Sequence, residues 1–154
     1  MAHALVSSFK KAQKLPLGKS IFSRIVCMKA PYFSSIRPTI EVFEPGNVEV
    51  SLPKRRAVQN HIGTVHAIAM CNACELAGGM ATEITIPKDM RWIPKGMTVK
   101  YLKKAETDLR AIAKITSVPK SGSAYELIVP VDVQDSTGQV VMHADITMWV
   151  SPKG

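Results

Sequence analysis

One stretch, residues 60–80, constrains the fold of this 154-residue chain more than any other. It reads NHIGTVHAIAMCNACELAGGM and passes from a short polar, turn-like run into a mostly apolar segment. That segment predicts a long core helix, and it holds one carboxylate, Glu75. Because an isolated acid in apolar surroundings is costly, we expect Glu75 to be used chemically, to pair with a base, or to reach solvent at a groove. The rest of the chain must cover this helix.

Strand patterns surround the predicted helix on both sides. The tetrapeptide Glu44-Pro45-Gly46-Asn47 is a turn signal, since proline presets one backbone dihedral and glycine or asparagine accepts a positive one. Pro130 predicts an edge position or a bulge for its strand. Residues 84–95 predict an irregular region, with a strand starting near Trp92. The predicted hairpins pair strand 39–43 with 48–52, strand 97–102 with 109–118, and strand 125–133 with 139–150.

Helical patterns occupy the first thirty residues. Apolar residues recur on one helical face between positions 17 and 28, and residues 4–14 predict a second short helix. The predicted organisation is an N-terminal helical segment, residues 1–30, packed on a single domain, residues 31–154. Tight turns imply antiparallel strands, so the fold class is α+β: a six-stranded antiparallel sheet wrapped around a long central helix.

The charge of the chain, formally +8, invites a nucleic-acid interpretation. Most of it lies in the N-terminal segment, and no recognition helix or interleaved aromatic residues accompany it, so we expect no nucleic-acid partner. The longest apolar stretch, 65–81, is interrupted by His66, Asn72 and Glu75, which predicts a core helix and no membrane span.

Three cysteines without the spacing of a secreted framework indicate a reducing, cytoplasmic compartment. Cys71 and Cys74 form a C-x-x-C sequence. Redox pairs of that kind stand at a helix start, where the dipole lowers the thiol pKa, whereas these stand about two turns inside. Without a second pair no four-cysteine zinc site can form, so we expect core cysteines, no metal and no cofactor.

At this point the residues carry a family resemblance. The run Asn60-His61-Ile62-Gly63-Thr64-Val65-His66-Ala67, with Glu75 nine positions after His66, resembles the active-site signature of hotdog-fold acyl-CoA thioesterases of the phenylacetyl-CoA thioesterase type. In that family an asparagine precedes a G-x-x-H-G-G run, and an acid follows on the central helix. The likeness continues through residues 99–105. Ala67 and Ile68 replace the two glycines, and Lys104 replaces a proline.

The resemblance implies a hotdog fold and hydrolysis of an acyl-CoA thioester without metal or bound cofactor. It implies that Glu75 is a general base or nucleophile and that the N–H of Ala67 is the oxyanion donor. Asn60 and His66 would position water or substrate. Active sites would lie at a homodimer interface, possibly within a tetramer. Substrate-binding roles are expected for Asn72, for Trp92 in an acyl pocket, and for Lys103 and Lys104 at the coenzyme A phosphates.

Helix geometry supports a shared site independently of the family. With Thr64 as the helix cap, the N–H groups of residues 65–67 fall in the first turn, at the positive end of the helix dipole. Glu75 then stands about three turns along, ~16 Å by helix rise. If both groups act on one substrate, the acid and the oxyanion donors must therefore come from different copies of the chain.

Two other functions remain open on sequence grounds. A hydratase or dehydratase could use His61 and Glu75, which are fourteen positions apart, although that family's proline- and phenylalanine-rich loop is missing. A non-catalytic acyl-CoA-binding protein could keep the hotdog fold after losing the two glycines.

Overall fold

A computed structural model describes residues 2–117 and 119–154. The six strands form one antiparallel sheet in the order β1-β2-β4-β5-β6-β3, and α3 packs on one face of it. This arrangement confirms the predicted α+β class with a sheet around a central helix. The elements in chain order are α1 Ala2–Ala12, α2 Gly18–Lys29, a first 3-10 helix Pro31–Ile36, β1 Thr39–Glu44, β2 Asn47–Leu52, a second 3-10 helix Arg56–Val58, α3 Ala67–Thr85, β3 Met90–Tyr101, β4 Leu109–Lys114, β5 Tyr125–Gln134 and β6 Val140–Pro152.

The contact between α3 and the sheet depends on two glycines. Alternate side chains of β5 and β6 are buried toward α3, as the two-residue period of a strand requires. A Cβ on Gly78 would lie 2.8 Å from Ile146 Cδ1, and one on Gly79 would lie 2.9 Å from Trp92 Cη2. The helix therefore lies closer to the sheet than side chains at these positions would allow.

The N-terminal helices pack against the β1 end of the sheet. Phe9 of α1, Phe22 of α2 and Phe43 of β1 form an aromatic cluster with ring centroids 5.2–5.5 Å apart. The Ser23 hydroxyl of α2 accepts a hydrogen bond from the N–H of Ile40 at 2.8 Å. The edge strand β1 is thus partly covered by α2.

The predicted pairing of strand 97–102 with strand 109–118 is wrong. β3 pairs with β6, from Met90 opposite Pro152 to Tyr101 opposite Met142. β4 lies between β2 and β5 instead. The connection after β3 does not form a hairpin with β4. It passes the start of α3, where the carbonyl of the buried residue Ala105 accepts the N–H of Val65 at 2.8 Å. The last predicted residue of β4, Val118, lies outside the described residues.

Two further strand predictions need correction. Only residues 86–89 of the predicted irregular region 84–95 are irregular: α3 continues to Thr85, and β3 begins at Met90, close to the predicted start near Trp92, and accommodates Pro94 at a register shift. Pro130 lies in an interior strand, but pairing with β4 reaches only to Ala113 opposite Val131. Beyond that point β5 is an edge toward β4, so the absent N–H of Pro130 costs no ladder hydrogen bond on that side.

Candidate active site

The predicted signature begins in a loop that Asn60 closes. Its Oδ1 accepts hydrogen bonds from the N–H groups of Ile62 and Thr64, both at 3.1 Å, and its Nδ2 donates to Thr64 Oγ1 at 2.8 Å. Asparagine suits this role because its short amide mimics a backbone turn. Asn60 therefore fixes the conformation of the loop that leads into α3. His61 is exposed in the same loop.

The start of α3 differs from the prediction in its cap. His66 is the N-cap, and its Nδ1 accepts the N–H of Ile68 at 3.0 Å, whereas Thr64 is engaged by Asn60. The expectation that Thr64 caps the helix is therefore wrong. Ala67 is the first helical residue, and no acceptor for its N–H is found among the described residues. The N–H of Ala69 likewise has no acceptor there, so two donors stand free at the positive end of the α3 dipole.

Glu75 lies on the open side of α3. The residues one turn before and one turn after it both contact β3: Cys71 Sγ is 3.7 Å from the Tyr101 hydroxyl, and Gly79 touches the ring of Trp92. Glu75 therefore belongs to the helix row that faces β3, and its side chain is exposed in the single chain. The carboxylate is available at the edge of the molecule where the sheet ends.

Ala67 and Glu75 cannot serve one carbonyl group within a single chain. They are eight residues apart in α3, which is ~12 Å by helix rise. Measured from Ala67 instead of from Thr64, the separation from Glu75 falls from ~16 Å to ~12 Å, which is still too long for both groups to reach one carbonyl. The geometric argument for a site shared between two copies still holds.

Lys103 and Lys104 follow β3 in an exposed turn near the start of α3. The next residue, Ala105, accepts the N–H of Val65, which directly precedes the cap residue His66. The backbone that follows the two lysines is thus held at the start of α3. Hydrogen bonds from the Thr137 hydroxyl and from the N–H groups of Gln139 and Thr137 hold the pKa of Asp135 below its usual range against the effect of burial, and the charge of Lys103 adds a smaller effect in the same direction.

The other two predicted substrate-binding residues lie at different places. Trp92 packs on Gly79, and its Nε1 donates to Glu83 at 2.9 Å, so much of the ring serves the contact between helix and sheet. Asn72 is buried beside the first 3-10 helix and lines a cavity of about 200 Å³ together with His66. Ser35 and Gln59 line the same cavity, and no sequence pattern marked them.

The C-x-x-C cysteines are separated by their surroundings. Cys74 is fully buried, and burial raises the pKa of its thiol, whereas Cys71 is half-buried beside Tyr101. Within residues 2–117 and 119–154, no group of three or more histidine, cysteine or acidic side chains is placed to hold a metal ion. No helix in this part of the chain is long and apolar enough to cross a membrane.

A larger cavity, about 550 Å³, lies away from the predicted site. It opens between α2, the first 3-10 helix and the start of β1, and its lining includes Arg24 and Arg37. None of the predicted site residues contributes to it.

Comparison with known proteins identifies the family. The pattern of the domain of unknown function DUF4442 matches residues 18–150, from the first residue of α2 almost to the end of β6. The chain belongs to the DUF4442 family. No curated protein matches it. This DUF4442 chain is 44% identical to a protein solved as a genomics target, over 97% of this chain and 99% of that one, with a TM-score of 0.84.

More distant solved structures share the fold of this DUF4442 domain. A Pseudomonas aeruginosa protein of unknown function, described as a probable thioesterase, is 22% identical over 90% of this chain and 97% of its own, with a TM-score of 0.74. A thioesterase family protein from Silicibacter pomeroyi is 17% identical over 90% of this chain and 100% of its own, with a TM-score of 0.72. These likenesses confirm the hotdog fold and a divergent branch of it.

Proposed function

We propose that this DUF4442 protein is a thioesterase that hydrolyses an acyl-CoA or a related acyl thioester. The observation that carries the proposal is the pairing, on one helix, of a free N–H at Ala67 with an exposed carboxylate at Glu75. An N–H at a helix start stabilises the oxygen of a tetrahedral intermediate, and a carboxylate can activate water. The hotdog fold shared with proteins described as thioesterases adds support.

The reaction follows from these two groups. Glu75 of one protomer accepts a proton from water while the water oxygen bonds to the thioester carbon, whose carbonyl oxygen rests on the Ala67 N–H of the other protomer. Collapse of the intermediate breaks the C–S bond, and the proton on Glu75 passes to the leaving sulfur. In the alternative path Glu75 attacks the carbon itself, the C–S bond breaks and the thiolate leaves and takes a proton from water; water then hydrolyses the mixed anhydride to the free acid and restores Glu75.

A homodimer is proposed because one edge of the sheet is open. The edge strand β1 is partly covered by α2, but β3 has twelve residues, and no strand of residues 2–117 and 119–154 pairs with its outer side. A long uncovered edge is a ready template for pairing with another chain. Basic residues of β3 such as Lys100 are exposed along this edge, but so are apolar side chains at its end, among them Met97, Tyr101 and Leu102. Pairing of two β3 edges would bring the helix row that carries the exposed Glu75 toward a partner helix.

The substrate and the compartment are proposed on charge and thiol chemistry. Lys103 and Lys104 stand beside the helix start, where the phosphates of a coenzyme A thioester would be attracted. The reaction as written uses only Glu75, water and backbone groups, so it calls for no metal or bound cofactor. Three free cysteines favour a reducing compartment, the cytoplasm.

Hydrolysis of acyl-CoA esters by the Glu75→Gln variant tests the function. We expect the variant to remain folded and to lose about 10²–10⁴-fold in kcat, the usual contribution of a positioned general base. Glu44→Gln, at the exposed end of β1, removes the same charge beside a turn that contacts α3 only at its last residue, Thr85, ten residues after Glu75, and should leave turnover unchanged. Retained turnover in Glu75→Gln would remove Glu75 from the mechanism.

The same measurements separate the two alternatives. Tight binding of acyl-CoA esters with no thiol released, across chain lengths, would assign the chain to non-catalytic acyl-CoA binding. Hydration of enoyl-CoA in place of thiol release would assign it to the hydratases that His61 and Glu75 suggested.

A further inference from the structure

The outer face of α2 carries a row of apolar side chains. Its members recur every three or four residues, which places them along one side of the helix. They are between 53% and 79% exposed: Leu17 at the N-cap, then Ile21, Ile25 and Met28. The opposite face of α2, with Phe22 and Cys27, is buried against the rest of the protein. Most of the apolar repeat that predicted α2 therefore faces solvent.

The backbone directs the first member of this row outward at a cost. Leu17 has φ 59° and ψ 7°, in the left-handed region that a bulky side chain rarely adopts. Its side chain is 77% exposed, so packing within the chain does not repay that conformation. Leu15, at 65% exposed, extends the apolar surface beyond the start of α2. An apolar surface of this kind, rimmed by polar residues, marks an interaction site.

Basic residues surround the apolar row, and acids are absent from this part of the sequence. The first forty residues contain no aspartate or glutamate and seven basic residues: Lys10, Lys11, Lys14, Lys19, Arg24, Lys29 and Arg37. At 100° per residue, Arg24 and Lys29 lie on either side of the row, and both are exposed. Lys19 pairs with Glu41 at 3.1 Å, and the six other side chains are exposed. The partner of this surface must therefore bring negative charge.

A cavity of about 550 Å³ adjoins the row on the side of Arg24. Arg24 and Arg37 line it, and no acid contributes to its lining. Neither guanidinium has a hydrogen-bond or ion-pair partner within residues 2–117 and 119–154. The hydroxyl residues of the lining are Ser20, Ser34 and Thr39. Guanidinium and hydroxyl groups bind phosphate oxygens, so a phosphate group fits this set of donors.

A second copy of the chain is a poor partner for this surface. Pairing two such faces would bring Arg24 and Lys29 of each copy together, with no acid in the first forty residues to compensate them. The row also lies away from the proposed dimer contact. α2 is joined to β1 through Ser23, and β1 and β3 are opposite edges of the sheet. The row is therefore free in a dimer built on β3.

We propose that α2 binds the protein to the surface of a bilayer that contains anionic phospholipid. The apolar row enters the boundary between headgroups and acyl chains, and the flanking basic residues lie at the level of the lipid phosphates. Arg24 and Arg37 bind a headgroup phosphate at the cavity. With twelve residues, α2 lies in the plane of the membrane and is too short to cross it. This contact does not depend on the proposed thioesterase activity.

Co-sedimentation of the full chain with lipid vesicles tests the inference. The probes are vesicles of phosphatidylcholine alone and vesicles in which roughly one quarter of the lipid is phosphatidylglycerol. We expect at least about 10-fold tighter binding to the anionic vesicles, and weaker binding to them as the salt concentration is raised. Equal binding to both kinds of vesicle, or binding to neither, would overturn the inference.

A matched pair of variants tests the apolar row. Ile25→Glu places a carboxylate in the row, and Ile128→Glu places one in β5, where the wild-type side chains are 53% and 50% exposed, respectively. Ile25→Glu should weaken binding to anionic vesicles at least about 10-fold, whereas Ile128→Glu should stay within a few-fold of the wild type. Unchanged binding by Ile25→Glu would overturn the inference. If Ile25→Glu does not fold, Met28→Glu is read by the same criterion.

Removal of charge tests the cavity. The double variant Arg24→Gln/Arg37→Gln removes both guanidinium groups, and Lys114→Gln/Lys120→Gln removes the same charge from exposed positions elsewhere. The first should lose about 5-fold in affinity for each arginine, and the second should change little. Equal losses in the two double variants would indicate diffuse attraction by the whole molecule and would overturn the assignment to α2.

Sedimentation without lipid tests the rival occupant, a second copy of the chain. We expect Ile25→Glu to keep the oligomeric state of the wild type. A change of oligomeric state in Ile25→Glu but not in Ile128→Glu, without a loss of vesicle binding, would assign the row to a contact between copies and overturn the inference.

Discussion

At the scale of the residue, the N–H of Ala67 is separable from its side chain. Ala67 is the first residue of α3, a position that tolerates proline, and His66 has φ −64° and ψ 138°, which suits the residue before a proline. Ala67→Pro therefore removes one N–H and preserves the helix. If that N–H holds the oxyanion, kcat should fall about 10²–10³-fold. The measurement is steady-state thioester hydrolysis, with circular dichroism to verify folding.

Ala67→Gly is the matched control for Ala67→Pro, because it changes the side chain and keeps the N–H. It should remain within a few-fold of the wild type. An Ala67→Pro variant as active as Ala67→Gly would place the oxyanion elsewhere.

His143 predicts a pH-dependent contribution to stability. Its Nδ1 lies 2.6 Å from Asp132 Oδ1 and its Nε2 lies 3.3 Å from Asp145 Oδ1. The hydrogen bond to Asp132 raises the pKa of His143, with help from Asp145 and against the effect of burial. A folded-state pKa above the unfolded value of ~6.5 means that the stabilisation is complete below that value and is lost as pH rises through the folded pKa.

Thermal unfolding of wild type and His143→Gln checks this sign. The difference in Tm should be largest near pH 5.5 and should shrink on raising the pH toward 8. A difference that grows with pH would show that the neutral imidazole is the form that stabilises the fold.

The sequence predicted some residues of the candidate site and could not predict others. The apolar run 65–81 predicted the helix that holds Glu75 and begins near His66. Because the rise of a helix is fixed, the spacing of the two residues then gave the distance between them. The cap was misassigned because Thr64 and His66 can both accept a backbone N–H, and only the fold shows that Asn60 engages Thr64. The contact between the Asn72 amide and the Ser35 hydroxyl joins residues distant in sequence, so no local pattern could reveal it.

At the scale of the element, the packing of α3 on β3 should be sensitive to Gly79. A Cβ there would lie 2.9 Å from Trp92 Cη2, and an indole ring cannot bend away. Gly79→Ala gains up to about 1 kcal/mol of helix propensity but introduces overpacking that typically costs about 1–3 kcal/mol. We expect a net loss of stability, measured by urea denaturation.

A double-mutant cycle isolates the cause of this loss. In a Trp92→Leu background the smaller side chain leaves room for the new methyl group, so Gly79→Ala should be neutral or stabilising there. A penalty of equal size in both backgrounds would show that the clash with Trp92 is not the reason.

Strand existence was predictable, whereas strand neighbours were not. The two-residue period of β5 and β6 follows from one face being buried, and that pattern is visible in the sequence. Nothing local specifies that β3 pairs with β6, because neighbours in sequence are only frequently neighbours in a sheet. The first half of β3 was not predicted as a strand because it contains Pro94. The register shift that accommodates this proline is set by the partner strand β6 and is not visible in the local sequence.

At the scale of the whole molecule, the proposed dimer predicts a coupled loss of assembly and activity. Met97 is opposite Ile146, a buried residue, so it faces the α3 side of the open edge. A charge there would be desolvated in a β3-to-β3 interface. Met97→Glu should therefore yield monomers by analytical ultracentrifugation, with thioesterase activity lost because each site needs two chains.

Ile128→Glu is the control, because Ile128 is an exposed apolar residue of β5 on the other face of the sheet. It should leave both assembly and turnover unchanged. A fully active Met97→Glu monomer would rule out the shared site.

The position of β3 at the sheet edge next to β6 also determines when β3 can pair during synthesis of the chain. β3 emerges from the ribosome directly after α3, but its partner β6 is synthesised more than forty residues later. Met90 can pair only once Pro152 has been made. Until then β3 is a nascent strand with both edges unpaired, and such non-local pairing is slow and prone to aggregation. β3, the strand proposed to form the dimer, can therefore pair only after the last strand of the chain has been made. Its outer edge becomes available for assembly only in a monomer whose sheet is complete.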